Sequence, residues 1–283
     1  MRIELFVVPY DSGMRGARMG AGPERLIESG LADRLTERGH DVNVTTIELP
    51  SGFFNSEISA AFNLDSQLAD EVRAAAARDV FPIVLSGNCN SCLGTTAGIG
   101  EEELGVIWFD AHADFNTPDT TPSGFLDGMA LSVLTGRCFH QMAETINGFH
   151  AFSDDSVVLV GARDLDPSEV AALETSGVTR LSAAAVATDL ANAIRKLRDR
   201  SKNIYLHVDL DVLDASEGRA NTYAVGGGLS VKEIEDAVRT IARDLRVRGV
   251  SLTAYDPLAD VDGRAREAAM RVLLTVADTV AAM

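Results

Sequence analysis

The chain has 283 residues, of which 46% are hydrophobic and 24% charged, and these proportions argue against a disordered, collagen-like or coiled-coil protein. Its formal net charge is −17. A surface this acidic repels nucleic-acid phosphates and anionic lipid, so we expect no nucleic-acid partner and no membrane partner.

Short apolar runs alternate with longer amphipathic runs along the chain. The predicted strands are residues 3–9, 41–48, 81–85, 104–109, 156–161, 178–181, 203–210 and 249–254. The predicted helices are residues 22–38, 66–78, 167–176, 184–200, 230–246 and 264–282. Strands with nearly continuous apolar cores, separated by helices, indicate a mostly parallel sheet covered on both faces. The sequence therefore predicts one three-layer α/β/α domain over residues 1–283, with about eight strands in its sheet.

Nothing in the sequence indicates secretion or membrane insertion. No apolar run reaches the ~18 residues of a spanning helix, and the start MRIELFVVPYDSG is typical of a strand and turn rather than of a signal peptide. The chain has three cysteines, an odd number that disfavours a disulfide scaffold. We therefore expect a cytoplasmic protein with reduced cysteines.

A polar segment follows the strand 104–109, and its length is typical of a functional loop. Asp110, His112 and Asp114 alternate at its start, so an extended backbone would place them on one face. Asp209 and Asp211 alternate in the same way after the strand 203–210, and Asp214 follows in a turn-like context. Ligands of open parallel sheets bind beyond the carboxyl ends of the strands, so these side chains are expected to meet.

Four carboxylates and one imidazole in one place repel each other unless cations lie between them. Mixed oxygen and nitrogen ligands suit Mn²⁺ or another divalent transition ion better than Ca²⁺. If one carboxylate bridges, two ions fit about 3.5–4 Å apart, the spacing of two-metal hydrolases. The residues alone therefore predict a divalent metal site.

Four ordered segments resemble the ureohydrolase (arginase) family over essentially the whole chain. They are DAHADFNTP followed by TTPSGFLDGM, then VGARDLDPSE and HVDLDVLDAS. The resemblance implies an α/β/α fold, an assembly of trimers or hexamers, and hydrolysis of guanidino or amidino carbon–nitrogen bonds with two Mn²⁺ ions. By position, Asp110 and Asp209 would bridge the two ions, Asp114 would bind the first, and His112 and Asp211 the second.

The resemblance also assigns substrate contacts. Asn116 and Ser123 match positions that contact the substrate carboxylate in members that process amino acids. Asp166 matches a position that contacts the substrate amino group, and Glu169 matches a nearby acidic position. These matches favour an amino-acid-like substrate.

Several positions depart from the family pattern, and three of these departures concern residues that bind metal, move a proton or bind the guanidinium. The strand end G-G-D-H-S is here GNCNS, so the family's histidine ligand to the first ion becomes Asn90. The histidine that shuttles protons becomes Asp127, a candidate for proton transfer if its pKa is raised. The acid that grips the guanidinium aligns with Ala254, and Asp256 is the nearest possible replacement.

A similar N-x-C strand end and D-F-N-T-P loop occur in the N-omega-hydroxy-L-arginine hydrolases of D-cycloserine biosynthesis, which this chain resembles more than arginase itself. The expected function is therefore hydrolysis of a guanidino or modified-guanidino compound, with N-hydroxyarginine as one candidate. Two alternatives stay open. One is a hydrolase of a non-guanidino amide or amidine. The other is a catalytically silent homologue that binds metal or an amino acid.

Two further side chains have competing interpretations. His207 precedes Asp209 by two residues and shares its face, so it is either a replacement ligand or base, or a packed histidine beside the site. Cys89 is either a soft metal contact or pocket thiol, or a small buried side chain. Cys89 and Cys92 form C-x-x-C, but the context of a thioredoxin-like redox motif is absent from the sequence.

Overall fold

A computed structural model describes residues 1–52, 56–101 and 103–283. The strands found there are β1 (Arg2–Val8), β2 (Tyr10–Asp11), β3 (Met14–Arg15), β4 (Asp41–Thr46), β5 (Phe81–Ser86), β6 (Leu104–Phe109), β7 (Val157–Val160), β8 (Thr179–Leu181), β9 (Asn203–Asp209) and β10 (Arg246–Thr253). Eight of them form one parallel sheet in the order β4-β1-β5-β10-β9-β6-β7-β8. β2 and β3 form a separate antiparallel hairpin.

Helices cover both faces of this sheet. They are α1 (Gly22–Glu28), α2 (Leu31–Glu37), α3 (Glu57–Ala76), α4 (Cys92–Ile99), α5 (Ala130–Leu134), α6 (His140–Ala143), α7 (Pro167–Glu174), α8 (Val186–Arg198), α9 (Val231–Asp244) and α10 (Arg264–Ala281). One buried apolar cluster joins the sheet to α1, α2, α8, α9 and α10. A second joins the other face to α3, α4 and α5. The predicted three-layer α/β/α architecture is thus confirmed.

The helix boundaries differ from the prediction where local backbone chemistry intervenes. The helix predicted over 22–38 is two helices, because Gly30 adopts a left-handed φ of +87° between them. α3 begins nine residues before the predicted start, where the Ser56 side chain accepts a hydrogen bond from Ser59 N and caps it. Both differences reflect turn and cap chemistry that hydrophobic periodicity does not report.

Helix α4 was not predicted. Its sequence CLGTTAGI is buried on every side, so it shows no amphipathic period. Gly94 and Gly98 let it approach α3 closely, since a Cβ at these positions would lie 2.5 Å from the Asp65 carbonyl oxygen and 2.5 Å from the Val72 side chain respectively. Such a helix is recognised from its contacts rather than from its pattern.

The four central strands, in the order β5-β10-β9-β6, bring their carboxyl ends together. The predicted ligands follow β6 and β9, the altered GNCNS segment follows β5, and Ala254 follows β10. The topology therefore gathers at one edge the segments that are far apart in the sequence. Among the described helices, none has the length and apolar character that a bilayer crossing requires.

Candidate metal centre

The first group of potential ligands follows β6 and β9. His112 Nδ1 lies 3.4 Å from Asp110 Oδ1 and 3.4 Å from Asp211 Oδ2. One ligand atom from each of these three side chains falls within 4.8 Å of the other two. The sequence placed His112 and Asp211 on a common ion with bridging Asp110, and the structure brings all three together.

A second group shares Asp110 with the first. Its other members are Asp209 and Cys89, again with ligand atoms within 4.8 Å of one another. The Cys89 thiol donates to Asp209 Oδ2 at 3.2 Å, and the residue is 1% exposed. Two adjacent groups that share one carboxylate match the arrangement needed for two ions with a bridging ligand.

Asp114 lies at the same pocket but in neither group. Its backbone has a left-handed φ of +50°, and the residue is buried. Its Oδ2 atom is enclosed and has no hydrogen-bond partner among the described residues. An enclosed carboxylate oxygen without a donor is costly, so this atom is suited to a cation.

The position that the sequence expected to bind the first ion, Asn90, has a different set of contacts. Its main-chain N and its Nδ2 both donate to Asp127 Oδ1, at 3.2 and 3.1 Å. The neighbouring Cys89 is a member of the second ligand group. The altered strand end thus directs a thiol toward the carboxylates and an amide toward Asp127.

Asp127 is buried at the side of the pocket. Burial raises its pKa to about 7, while hydrogen bonds from Asn88 and Asn90 oppose the increase. The Asn88 Nδ2 atom donates to Asp127 Oδ2 at 2.9 Å. A carboxyl group with this pKa exists in both protonation states near neutral pH, as a proton-transfer group requires.

The carboxylates of the two groups, together with that of Asp114, are electrostatically crowded. Burial raises the pKa of Asp110, Asp114 and Asp209 above the usual range, and the nearby negative charges add to the effect. Asp211 is the exception, since the contacts of His112 outweigh burial and lower its pKa to about 2. The pKa of His112 is raised because the two acids beside it outweigh its burial. The donor set therefore fits divalent cations, which would relieve this repulsion.

His207 lies beneath the site rather than in the pocket. It has no exposed surface and stacks on Trp108 with ring centroids 3.5 Å apart. Its Nδ1 contacts the Tyr205 hydroxyl at 2.9 Å and its Nε2 the Thr253 hydroxyl at 3.3 Å. Burial lowers the pKa of His207 well below its usual value. With both ring nitrogens engaged, the geometry favours the packed-histidine interpretation over a ligand or base.

The two ligand groups reach a pocket of about 280 Å³, which Cys89, His112, Asp209 and Asp211 line together with Asp114. The positions expected to contact substrate, Asn116, Ser123 and Asp166, all line it. Asn116 Nδ2 donates to Asp166 Oδ2 at 2.9 Å. The rings of Phe125 and Tyr223 stack at the same pocket with centroids 6.1 Å apart. The pocket therefore combines a polar wall with an aromatic one.

Ala254 also lines the pocket, with a left-handed φ of +60°. Asp256, the possible replacement for the missing acid, is used elsewhere: its Oδ1 accepts from Leu258 N at 2.9 Å and it does not line the pocket. Neither Ala254 nor Asp256 therefore supplies to the pocket the acid that the family pattern places at position 254.

The sequence did not reveal the role of Arg163. Its guanidinium donates to the main-chain carbonyls of Asp211, Leu213 and Val225 at 2.9–3.0 Å, and to Gly226 at 3.1 Å. Arg163 thereby holds the loop that carries Asp211 in place. A motif such as VGARDLD marks the segment, but nothing in its spacing indicates which carbonyls the arginine binds.

Comparisons with known proteins agree with this geometry. A sequence model of the Arginase family matches residues 1–277. An arginase of Staphylococcus aureus strain COL is 30% identical, with 96% of each chain covered. The crystal structure of Bacillus caldovelox arginase has a TM-score of 0.88 at 27% identity and covers 97% of each chain. The Bacillus subtilis formimidoylglutamase structure, at 20% identity and a TM-score of 0.74, shares the fold. The chain therefore belongs to the arginase family.

Proposed function

We propose that the protein is a Mn²⁺-dependent hydrolase that cleaves a linear carbon–nitrogen bond in a modified guanidino compound, with N-hydroxyarginine as the favoured substrate. The observation that carries this proposal is the pair of ligand groups that share Asp110 and whose other members line a pocket. We assign Asp110, His112 and Asp211 to one ion. We assign Asp110, Asp209 and Cys89 to the other, with Asp114 beside them.

Divalent ions held here would lower the pKa of bound water and so supply a nucleophile near neutral pH. The chain's own residues would orient the substrate and move the proton. Asn116, Ser123 and Asp166 lie where they can bind the amino-acid end of a substrate. Asp127, with a pKa of about 7, can donate a proton to the leaving nitrogen and recover it afterwards.

The wall at Ala254 supports a modified guanidine over arginine. A buried guanidinium without a carboxylate partner pays a desolvation cost that is not recovered. Hydroxylation makes a guanidine less basic, so its neutral form is available near neutral pH and needs no such partner. The small side chain at position 254 also leaves room at this wall. The same observation favours the second candidate, a hydrolase of a neutral amide or amidine.

The test is metal content followed by a substrate panel. After Mn²⁺ loading and desalting, we expect two equivalents per chain by elemental analysis. The loaded protein should release ornithine from N-hydroxyarginine with a kcat/KM at least about tenfold above that for arginine. The free energy that corresponds to this ratio is only part of the cost of burying a cation without a partner. Asp211→Asn should lose an ion and the activity, whereas Asp119→Asn, an exposed acid on the loop after β6, should retain both.

Each outcome separates the candidates. Two ions with hydrolysis of amides alone would support the second candidate. Two ions and ligand binding without turnover on either the guanidino or the amide panel would support a catalytically silent homologue. Failure to retain any Mn²⁺ would contradict the assigned ligands themselves.

A further inference from the structure

A row of buried polar side chains runs along the sheet toward the candidate metal centre. Tyr205, His207 and Asp209 alternate on β9 and therefore point to one face. Thr253 on the adjacent β10 is paired in register with Asp209. Tyr205, His207 and Thr253 have no exposed surface. The proposed mechanism uses none of these three side chains.

Their contacts form a continuous chain that ends on the sulfur atom. The Tyr205 hydroxyl lies 2.9 Å from His207 Nδ1, and His207 Nε2 lies 3.3 Å from Thr253 Oγ1. Thr253 Oγ1 in turn lies 3.1 Å from Cys89 Sγ. A polar row of this kind is expensive to bury unless every member has a partner of the right polarity. The direction of these hydrogen bonds therefore determines whether the Cys89 sulfur receives a hydrogen bond.

A sulfur atom that binds a metal carries no proton and can only accept hydrogen bonds. Among the contacts found in the described parts of the chain, the Thr253 hydroxyl is the one group able to donate a hydrogen bond to the Cys89 sulfur. That hydroxyl has a single proton. If His207 accepted it, the sulfur would be left without a donor. If His207 instead donates from Nε2, the Thr253 proton is available to the sulfur.

We propose that Thr253, with its hydroxyl oriented by His207, is the positioning residue for Cys89: it donates a hydrogen bond to the metal-facing sulfur and sets its strength as a ligand. The inference rests on the proposed function, in which Cys89 holds one ion. Tyr205 then donates to His207 Nδ1 and fixes the tautomer that carries its proton on Nε2. Partners of metal ligands commonly act in this way.

The stacked neighbour of His207 gives this arrangement a second link to the site. Trp108 Nε1 donates to Asp110 Oδ2 at 2.9 Å. The His207 and Trp108 rings lie nearly parallel, with 10° between their planes. One rigid pair of rings in the sheet therefore supports both the shared carboxylate, Asp110, and the thiol, Cys89. An aliphatic side chain at position 207 would fill the space but would orient neither.

The experiment uses Co²⁺ in place of Mn²⁺, because a thiolate bound to Co²⁺ gives a charge-transfer band in the near ultraviolet. The wild type and Thr253→Ser, which keeps the hydroxyl, should show the band at the same wavelength. Thr253→Val and Thr253→Ala should move it to longer wavelength, since a sulfur without a donor is easier to oxidise. Both should also weaken Co²⁺ binding by about tenfold or more. Two variants without the hydroxyl are used so that poor folding of one leaves the other.

His207→Phe keeps the stack on Trp108 but has no ring nitrogen, so the band should shift in the same direction as in Thr253→Val. A shift to shorter wavelength would mean that His207 normally accepts the Thr253 proton, and this would overturn the proposal. An unshifted band in both Thr253→Val and Thr253→Ala would also overturn it while leaving Cys89 as a ligand. A wild-type spectrum that matches Cys89→Ser would instead refute the ligand assignment and this inference with it.

Discussion

Stability of the metal-free protein should fall as the pH rises from 5.5 to 7.5. The reason is the set of buried acids whose pKa values are raised, of which Asp127, at about 7, has a defined value. An unfolded aspartate has a pKa of about 3.9. Between these two values the native state binds a proton that the unfolded state has lost. Its stabilising effect is complete below the unfolded pKa and is lost as the pH rises through about 7.

The size of the effect follows from the two pKa values. Over this pH range Asp127 alone should cost about 2 kcal/mol, since one pKa unit corresponds to about 1.4 kcal/mol. With 283 residues the unfolding entropy is about 0.6 kcal/mol per kelvin, so Tm should fall by about 3 °C. Asp114 and Asp209, whose pKa values are raised well above the usual range, add to the decrease. Asp211, whose pKa is about 2, titrates below this range.

Bound Mn²⁺ should reverse the trend. Each ion at a hundredfold excess over its Kd stabilises the native state by about 2.7 kcal/mol, or about 4–5 °C in Tm for a chain of this length. The metal also favours the unprotonated carboxylates, so the gain in Tm should be larger at pH 7.5 than at pH 5.5. Two ions should give about twice the increase of one.

The assay is thermal unfolding of chelator-treated and Mn²⁺-loaded protein across this pH range. Asp127→Asn should remove its share of the decrease, about 3 °C, from the metal-free protein. Asp119→Asn serves as the control because the residue is exposed on the same loop, and it should leave the slope unchanged. A metal-free Tm that is constant or rises with pH, or a Tm that does not respond to Mn²⁺, would refute the reasoning.

Three further predictions concern single side chains. Asp127→Asn should lower turnover of the preferred substrate at least about 100-fold with unchanged Mn²⁺ content, measured by kinetics and elemental analysis; wild-type turnover would exclude Asp127 from proton transfer. Arg163→Lys should destabilise the protein by about 2–3 kcal/mol in urea unfolding, because a lysine ammonium group cannot reach the several carbonyls that the planar guanidinium binds. An unchanged urea midpoint would contradict this role. Ala254→Gly should stabilise it by up to about 1 kcal/mol by relieving the left-handed backbone, and a lower urea midpoint would show that no strain is stored there.

The sheet could be predicted from the sequence because its strands are apolar runs bounded by polar turns. The ligands after β6 and β9 could be predicted too, since alternation in an extended backbone places Asp110 and His112, or Asp209 and Asp211, near each other. The same rule put His207 on the face of Asp209, which is correct. Alternation does not indicate how deeply a side chain is buried, however. His207 lies two residues before Asp209 on the strand and further into the core, where Trp108 covers its ring.

The choice between Cys89 and Asn90 could not be made from the sequence for a different reason. Strand β5 ends at Ser86, and residues Cys89–Ser91 form a 3₁₀ turn. In such a turn neighbouring side chains no longer alternate between two faces. Family position pointed to Asn90, whereas the turn directs the Cys89 sulfur to Asp209 and the Asn90 amide to Asp127. The sequence alone does not show which of two adjacent residues in such a turn faces the carboxylates.

These contacts also bear on whether the departures from the family pattern reflect lost function. If they were independent losses, the altered residues would have no reason to fit one another. Instead, Asn90 holds Asp127, the residue at the shuttle position, by two hydrogen bonds. Cys89 supplies a potential ligand beside Asp110 and Asp209 where the family histidine is missing. The Cys89 sulfur also has a buried hydrogen-bond partner, the Thr253 hydroxyl. A substitution at one position that is matched by a complementary group at the next is the arrangement expected of an active site rebuilt for a different substrate, and it argues against a silent homologue.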